Sequence, residues 1–148
     1  MRIYKSEKET RALAEEMAAE LLGASTPHPT AVVLGLVGDL GAGKTTFAQG
    51  FARALGVKEK ITSPTFLIVK SYKLKVKSFK KFYHIDAYRL KDEKELLDLG
   101  FAELLKDPKN IILIEWADKL MGILPKDAVY LNFSHSEKEG ERVIEKRF

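Results

Sequence analysis

The sequence contains no cysteine. That excludes disulfides, cysteine-ligated zinc, iron–sulfur clusters and thiol catalysis. Side-chain amides are nearly missing too, with Asn110, Asn132 and Gln49 the whole complement. No apolar run approaches the roughly 18 residues that a membrane span needs. The opening Met1-Arg2-Ile3-Tyr4-Lys5 lacks the apolar core of a secretion signal. Internal repeats, low-complexity tracts and long linkers are absent as well. These absences point to a cytoplasmic protein with no membrane partner. A chain of 148 residues has room for one domain, 1–148, large enough to bury a core without covalent staples.

Charge is plentiful. Asp, Glu, Lys and Arg make up 31% of the chain, above the usual quarter or so. Twenty-five Lys and Arg against 21 Asp and Glu give a net charge of +4. This mild basicity permits an RNA partner without requiring one. Abundant Lys and Glu with few thermolabile amides form a thermophile-like profile.

Hydrophobic spacing supplies the elements. Ser6-Glu7-Lys8-Glu9 has the form of a capping box. Leu13, Met17 and Leu21 follow at helical spacing, so residues 7–22 form an amphipathic helix that Gly23 stops. Residues 24–30, with Pro27 and Pro29, form a loop. Residues 31–37 (AVVLGLV) are a short apolar run, the pattern of a strand buried on both faces. Phe47, Phe51 and Leu55 then recur four apart in a helix over 45–55. Strands are expected at 66–76 and 79–88, paired as a hairpin turning near Lys77-Ser78. A helix is expected at 92–105, interrupted at Gly100. Further strands fall at 110–115, 128–133 and 142–148, with a turn at 134–140. Early alternation of strand and helix followed by a run of strands suggests an α/β fold whose sheet mixes directions.

Between the first buried strand and its helix lies Gly38-Asp39-Leu40-Gly41-Ala42-Gly43-Lys44-Thr45, which fits G-x-x-x-x-G-K-[ST]. Such a loop turns backbone N–H groups inward around a phosphate, and its glycines allow the dihedrals and the close approach. The helix N-terminus adds its dipole to the same anion. Lys44 would reach the β- and γ-phosphates, and Thr45 would offer its hydroxyl to Mg²⁺. The guanine-reading N-K-x-D motif is absent, since Leu124-Pro125-Lys126-Asp127 is not one. ATP is therefore the expected nucleotide.

Nucleotide hydrolysis also needs an acid near the metal and a group that positions water. Glu115 ends the apolar run 111–114, at the strand edge where ligands gather in open α/β sheets. It is the candidate for the metal, with a strand-end acid as the plain alternative. Asp86 is the candidate for the water or switch role, against a structural ion pair with Arg89. His84, Asp86 and Tyr88 alternate and would share one strand face if that segment stays extended. His84 is equally readable as a structural histidine. Thr65, in Ser63-Pro64-Thr65-Phe66, lies where many phosphate-loop proteins sense the γ-phosphate. The plain reading there is a proline turn that begins a strand.

Four signatures stand in order: GDLGAGKTT at 38–46, SPTF at 63–66, HIDAYRL at 84–90 and IEWADKL at 114–120. Together they resemble the bacterial TsaE (YjeE) family, small ATPases of tRNA threonylcarbamoyladenosine biosynthesis. The resemblance implies a P-loop α/β fold with a mixed, mostly parallel central sheet and helices on both faces. It implies ATP and Mg²⁺ as ligands, weak hydrolysis by the isolated protein, and docking on the TsaB–TsaD pair, with tRNA met indirectly or weakly through that complex. Carried over by position, Lys44, Thr45 and Thr46 match the phosphate and metal residues. Glu115 matches the metal-associated acid, and Asp86 the acid assigned to hydrolysis. Thr10 and Arg142 are candidates for contacts to the nucleotide outside the loop. Trp116 is open between a nucleotide or partner contact and a core position. The lysine-rich segment 70–81 is open between RNA contact and protection of a sheet edge. The competing classes are a small-molecule kinase, disfavoured by few arginines and a short chain, and a nucleotide-controlled binding module. The composition also predicts a thermal midpoint above the range of about 45–65 °C where mesophile domains cluster, measurable by calorimetry.

Overall fold

The computed structural model describes residues 2–24, 28–39, 41–61 and 69–147. In chain order the elements are β1 (Arg2–Tyr4), α1 (Glu7–Gly23), β2 (Val32–Gly38), α2 (Lys44–Ala54), β3 (Val69–Lys73) and β4 (Lys81–Asp86). They continue with α3 (Glu93–Asp98), α4 (Phe101–Lys106), β5 (Asn110–Glu115), a single 3₁₀ turn (Ala117–Leu120), β6 (Val129–His135) and β7 (Arg142–Arg147).

The seven strands form one sheet in the order β1-β7-β6-β2-β5-β4-β3. The central four, β6, β2, β5 and β4, run parallel. Antiparallel strands close both sides: β3 pairs with β4, β7 with β6, and β1 with β7. Alternate residues of the parallel strands serve two cores. Leu34, Leu36, Ile111, Leu113 and Leu131 pack with α1 and α2 through Ala14, Phe47 and Phe51. Val33, Ile112 and Ile114 pack with α3, α4 and the 3₁₀ turn through Leu96, Phe101, Ala117 and Leu120. This gives three layers with helices on both faces, as expected. It also explains why β2 and β5 are nearly continuous apolar runs: each has two hydrophobic faces to cover.

Local chemistry sets the boundaries. Ser6 caps α1 by accepting from the Glu9 N–H at 3.2 Å. The Glu9 carboxylate reaches back to the Lys5 N–H, one residue before the cap. Gly23, the expected stop, is instead the last residue of α1, and Ala24 ends the helix in extended conformation. The helix expected at 92–105 is two short ones, divided at Gly100. The hairpin forms as expected, but β3 and β4 are shorter than 66–76 and 79–88, and residues 66–68 lie outside the described set. β6 extends through His135, into the segment expected as a turn. β1 escaped the sequence reading, because three residues with an exposed Ile3 present no hydrophobic period.

Gly35 fixes how the sheet meets the layer above it. A Cβ built there would lie 2.8 Å from Ala117 Cβ and 2.9 Å from Tyr130 Cδ1. The 3₁₀ turn therefore rests on the β2 backbone with no side chain between them. Gly35→Ala is expected to cost about 1–3 kcal/mol through overpacking. Urea unfolding would show this as a lower midpoint with an unchanged m-value.

Candidate functional site

The C-terminal ends of β2, β4 and β5 carry the chemistry. β2 ends at Gly38 and α2 begins at Lys44, so the glycine-rich loop joins the central strand directly to a helix N-terminus. Gly43 is the N-cap residue of α2 and sits at φ +101°, a left-handed conformation that glycine takes without a Cβ penalty. It has no side chain with which to cap the helix. The first turn of α2 holds no acidic residue, whereas α1 and α3 carry Glu7 and Glu9, and Glu93 and Glu95, in theirs. The positive end of α2 is thus left for an external anion. Asp39 supplies backbone to this loop: its carbonyl accepts from the Ala42 N–H at 3.2 Å. Gly41 faces open space at the turn of the loop, and Thr46 follows Thr45 in the first turn of α2. Leu40 and Thr65 lie outside the described residues.

Lys44 is buried. Its ammonium donates to the carbonyl oxygens of Gly38, at 2.6 Å, and Asp39, at 2.8 Å. It also lies 4.1 Å from the centroid of the Trp116 ring. Burial pulls the Lys44 pKa below its ordinary value, and nearby Glu115, Asp39, Asp118 and Asp86 oppose that shift. Four carboxylates thus act on this one lysine, so negative charge surrounds its ammonium. Asp118 escaped the sequence reading; it is brought in by the 3₁₀ turn, whose position depends on the bare backbone at Gly35.

Glu115 is held by both oxygens. Thr45 Oγ1 donates to Oε1 at 3.3 Å, and His84 Nε2 lies 2.6 Å from Oε2. A carboxylate oxygen can only accept, so His84 donates from Nε2. His84 Nδ1 is buried without a hydrogen-bond partner, which fits the tautomer carrying its proton on Nε2. The histidine therefore orients the acid whose other oxygen meets the phosphate-loop threonine. This joins its two readings, since it is buried and structural yet touches the site. The hydroxyl-plus-carboxylate pair of Thr45 and Glu115 is a hard-oxygen donor set of the kind Mg²⁺ prefers.

Asp86 stands beside Glu115 in the β4–β5 register. Its pKa is raised, chiefly by burial, with repulsion from Glu115 adding to the effect and the Tyr88 N–H, His84 and Lys44 opposing it. Tyr88 does not share the strand face with His84 and Asp86, as alternation suggested. β4 ends at Asp86, and Asp86 Oδ1 accepts from the Tyr88 N–H at 2.9 Å, turning the chain out of the sheet. The half-exposed Tyr88 ring instead packs on Trp116, with centroids 5.1 Å apart.

Trp116 holds the one positive φ of a non-glycine residue among the described residues, +61°. That conformation costs about 1–2 kcal/mol. A desolvated cation–π contact with Lys44 contributes up to about 2 kcal/mol, and an aromatic pair with Tyr88 about 0.5–1.5 kcal/mol. The two contacts are of the size needed to hold the strained residue.

Of the outlying candidates, Arg142 is brought to the loop. A Cβ on Gly43 would lie 3.5–3.7 Å from its Nε, Cγ and Cδ. Thr10 is buried, and its hydroxyl donates to the Ser6 carbonyl within α1 at 3.3 Å. Its backbone N–H also goes to the Ser6 carbonyl, so the hydrogen bonds given by Thr10 stay in the first turn of α1.

The family model described as threonylcarbamoyl adenosine biosynthesis protein TsaE matches residues 4–144. The tRNA threonylcarbamoyladenosine biosynthesis protein TsaE of Bacillus subtilis is 44% identical over 99 residues, 67% of this chain and 59% of that protein. The protein of that name from Haemophilus influenzae is 38% identical over 71% of this chain and 64% of its own length. This chain thus spans about three fifths of each of those two relatives. The Rickettsia felis protein of the same name is 39% identical over 133 residues, 89% of this chain and 71% of that one. The crystal structure of Bacillus subtilis YdiB superposes with a TM-score of 0.70 at 33% identity, covering 97% of this chain and 80% of that one. The family match runs from β1 into β7 and takes in the phosphate loop, Asp86 and Glu115, so the chain belongs to the TsaE family.

Proposed function

We propose that this protein is an Mg²⁺-dependent ATPase subunit in the formation of N6-threonylcarbamoyladenosine in tRNA, acting in the cytoplasm by docking on a TsaB–TsaD pair. The observation that carries the reading is the meeting of Lys44, Thr45, Glu115 and Asp86 at one sheet edge, in a chain of this family. ATP would lie with its phosphates in the loop 38–46 and the Lys44 ammonium against them, and Arg142 beside Gly43 would border the nucleotide. Thr45 and Glu115 would hold Mg²⁺, which offsets phosphate charge and polarises the terminal phosphoryl group. His84 keeps Glu115 turned toward Thr45. Asp86, with its raised pKa, is the carboxylate suited to orient water and take its proton. With only six arginines in the chain, slow hydrolysis by the isolated subunit follows if a partner completes the charge stabilisation.

The test is reconstituted tRNA threonylcarbamoylation with TsaB, TsaD and the enzyme that makes the carbamoyl-adenylate. Multiple turnovers are expected with the wild-type protein and loss of them with Lys44→Ala, which should also weaken ATP binding by about 10- to 100-fold. Equal turnover with both proteins would remove this reading. Phosphoryl transfer to an added acceptor in preference to water would favour a kinase. Nucleotide-dependent partner affinity without any effect on modification would favour a binding module.

Asp86→Asn is expected to keep Mg²⁺–ATP binding and lower hydrolysis by about 10²–10⁴-fold. The wild-type rate should rise with pH through the elevated Asp86 pKa, and the variant should lose that limb. Stability gives an independent sign. The folded pKa lies above the unfolded one, so the folded state binds more protons between them, and stability falls as pH rises through that window. The nucleotide-free variant should therefore melt above the wild type at neutral pH, with the gap closing once the pH falls below the ordinary range of an aspartate carboxyl. Intact hydrolysis in the variant would reassign the water role.

A further inference from the structure

The opposite end of the sheet carries a second charged feature. Between residues 60 and 85 there are seven lysines, at 60, 70, 73, 75, 77, 80 and 81, and no Asp or Glu. The +7 of this segment exceeds the +4 of the whole chain, so the rest of the molecule is net acidic. The charge is segregated rather than scattered over the surface.

The fold concentrates it further. Lys81 opens β4 and pairs in register with Asn110 at the start of β5, so it lies at the N-terminal end of the parallel strands. The phosphate loop is at their other end. Lys73, the last residue of β3, stands directly opposite Lys81. Like charges in cross-strand register destabilise a sheet. Lys73, Lys75, Lys77, Lys80 and Lys81 are all exposed. Among the described residues, none of the five forms an ion pair. Elsewhere on the surface Lys106 pairs with Glu103, and Arg11 with Glu7. Lys109 borders the same end, its carbonyl accepting from the Lys80 N–H at 2.8 Å. Two acids reach this area: Glu59, whose charge acts on the Tyr72 hydroxyl, and Asp107, whose carboxylate accepts from the Lys109 N–H at 2.9 Å.

Protection of an exposed edge accounts for part of the pattern. β3 is the edge strand, and Lys70 and Lys73 would discourage pairing with another chain. That argument does not reach Lys80 and Lys81, because β4 is flanked by β3 on one side and β5 on the other. Nor does it require two further lysines in the connection at 75 and 77. A lipid surface fits poorly. Leu74 and Val76 pack on the core and Phe79 is buried, so the hairpin offers no apolar group to insert.

We propose that the β3–β4 hairpin, through Lys73, Lys75, Lys77, Lys80 and Lys81, is a phosphodiester-binding surface that contacts RNA directly, at the end of the sheet away from the phosphate loop. The charge pattern alone assigns a polyanion; its identity as RNA rests on the tRNA reading given above. Contacts of this kind go to backbone phosphates, so they add affinity and salt dependence with little sequence preference.

The test measures binding of fluorescently labelled tRNA to the full chain by anisotropy over a series of KCl concentrations. The Lys73→Gln/Lys75→Gln/Lys77→Gln variant is compared with a control, Lys91→Gln/Lys94→Gln/Lys126→Gln, that removes equal charge elsewhere. The hairpin variant should bind at least about tenfold more weakly, with the slope of log K against log salt shallower by about 2 to 3. Its Mg²⁺–ATP binding should be unchanged and its melting midpoint no lower than that of the wild type. An unaltered slope, or equal losses in both triple variants, would overturn the proposal. Tighter binding to phosphatidylglycerol vesicles than to tRNA, lost in the same hairpin variant, would overturn it in favour of a lipid surface. Failure to bind tRNA with threonylcarbamoylation intact would sink the hairpin proposal alone. Salt-sensitive tRNA binding that survives the failure of reconstitution would leave the hairpin standing without the pathway reading.

Discussion

The site is organised around one buried ammonium group. Lys44 is removed from water at the end of the central strand, and a charge in that position must be answered by protein atoms. Two loop carbonyls, an indole face and four carboxylates do so. The partners arrive on four parts of the chain: Gly38 and Asp39 at the end of β2, Glu115 at the end of β5, Asp86 at the end of β4, and Trp116 and Asp118 around the 3₁₀ turn. The parallel sheet is what brings these ends to one edge, and the two hydrophobic layers are what hold the sheet. The fold can thus be understood from the lysine outward.

The two ends of the sheet differ in electrostatic character. At the C-terminal end, the carboxylates of Glu115, Asp39, Asp118 and Asp86 act on the single buried ammonium of Lys44. At the N-terminal end, the β3–β4 hairpin exposes five lysines that form no ion pair among the described residues. A net charge of +4 averages these two regions and describes neither.

Much of this architecture is legible in the sequence. The phosphate loop carries its own spacing. The run NIILIE could only be a strand covered on both faces, and its terminal glutamate marked the ligand edge. What was not legible depends on register and tertiary contact. The His84–Glu115 bond is diagonal, since His84 stands opposite Leu113 and not opposite Glu115. No single-strand pattern specifies that offset. The left-handed Trp116 is stabilised by Lys44, 72 positions earlier in the chain. Asp118 was hidden because nothing in a short polar turn shows that it will be folded back over a glycine. The exit of Tyr88 from the sheet was missed for a smaller reason: alternation continued in sequence past the aspartate that ends the strand.

The bare backbone at Gly35 has a mechanical consequence. Most layers in a protein meet through side chains, which can change rotamer and absorb a displacement. Here Ala117 sits against the β2 main chain itself, so no such cushion lies beneath the turn. Inward translation of the segment that follows Trp116 is opposed by steric contact with that main chain. The indole, Tyr88 and Lys119 are coupled above it, because Tyr88 packs on Trp116 and Lys119 is tied to the Tyr88 carbonyl. The small residue at the centre of the sheet thereby leaves the rim of the site little room to move inward.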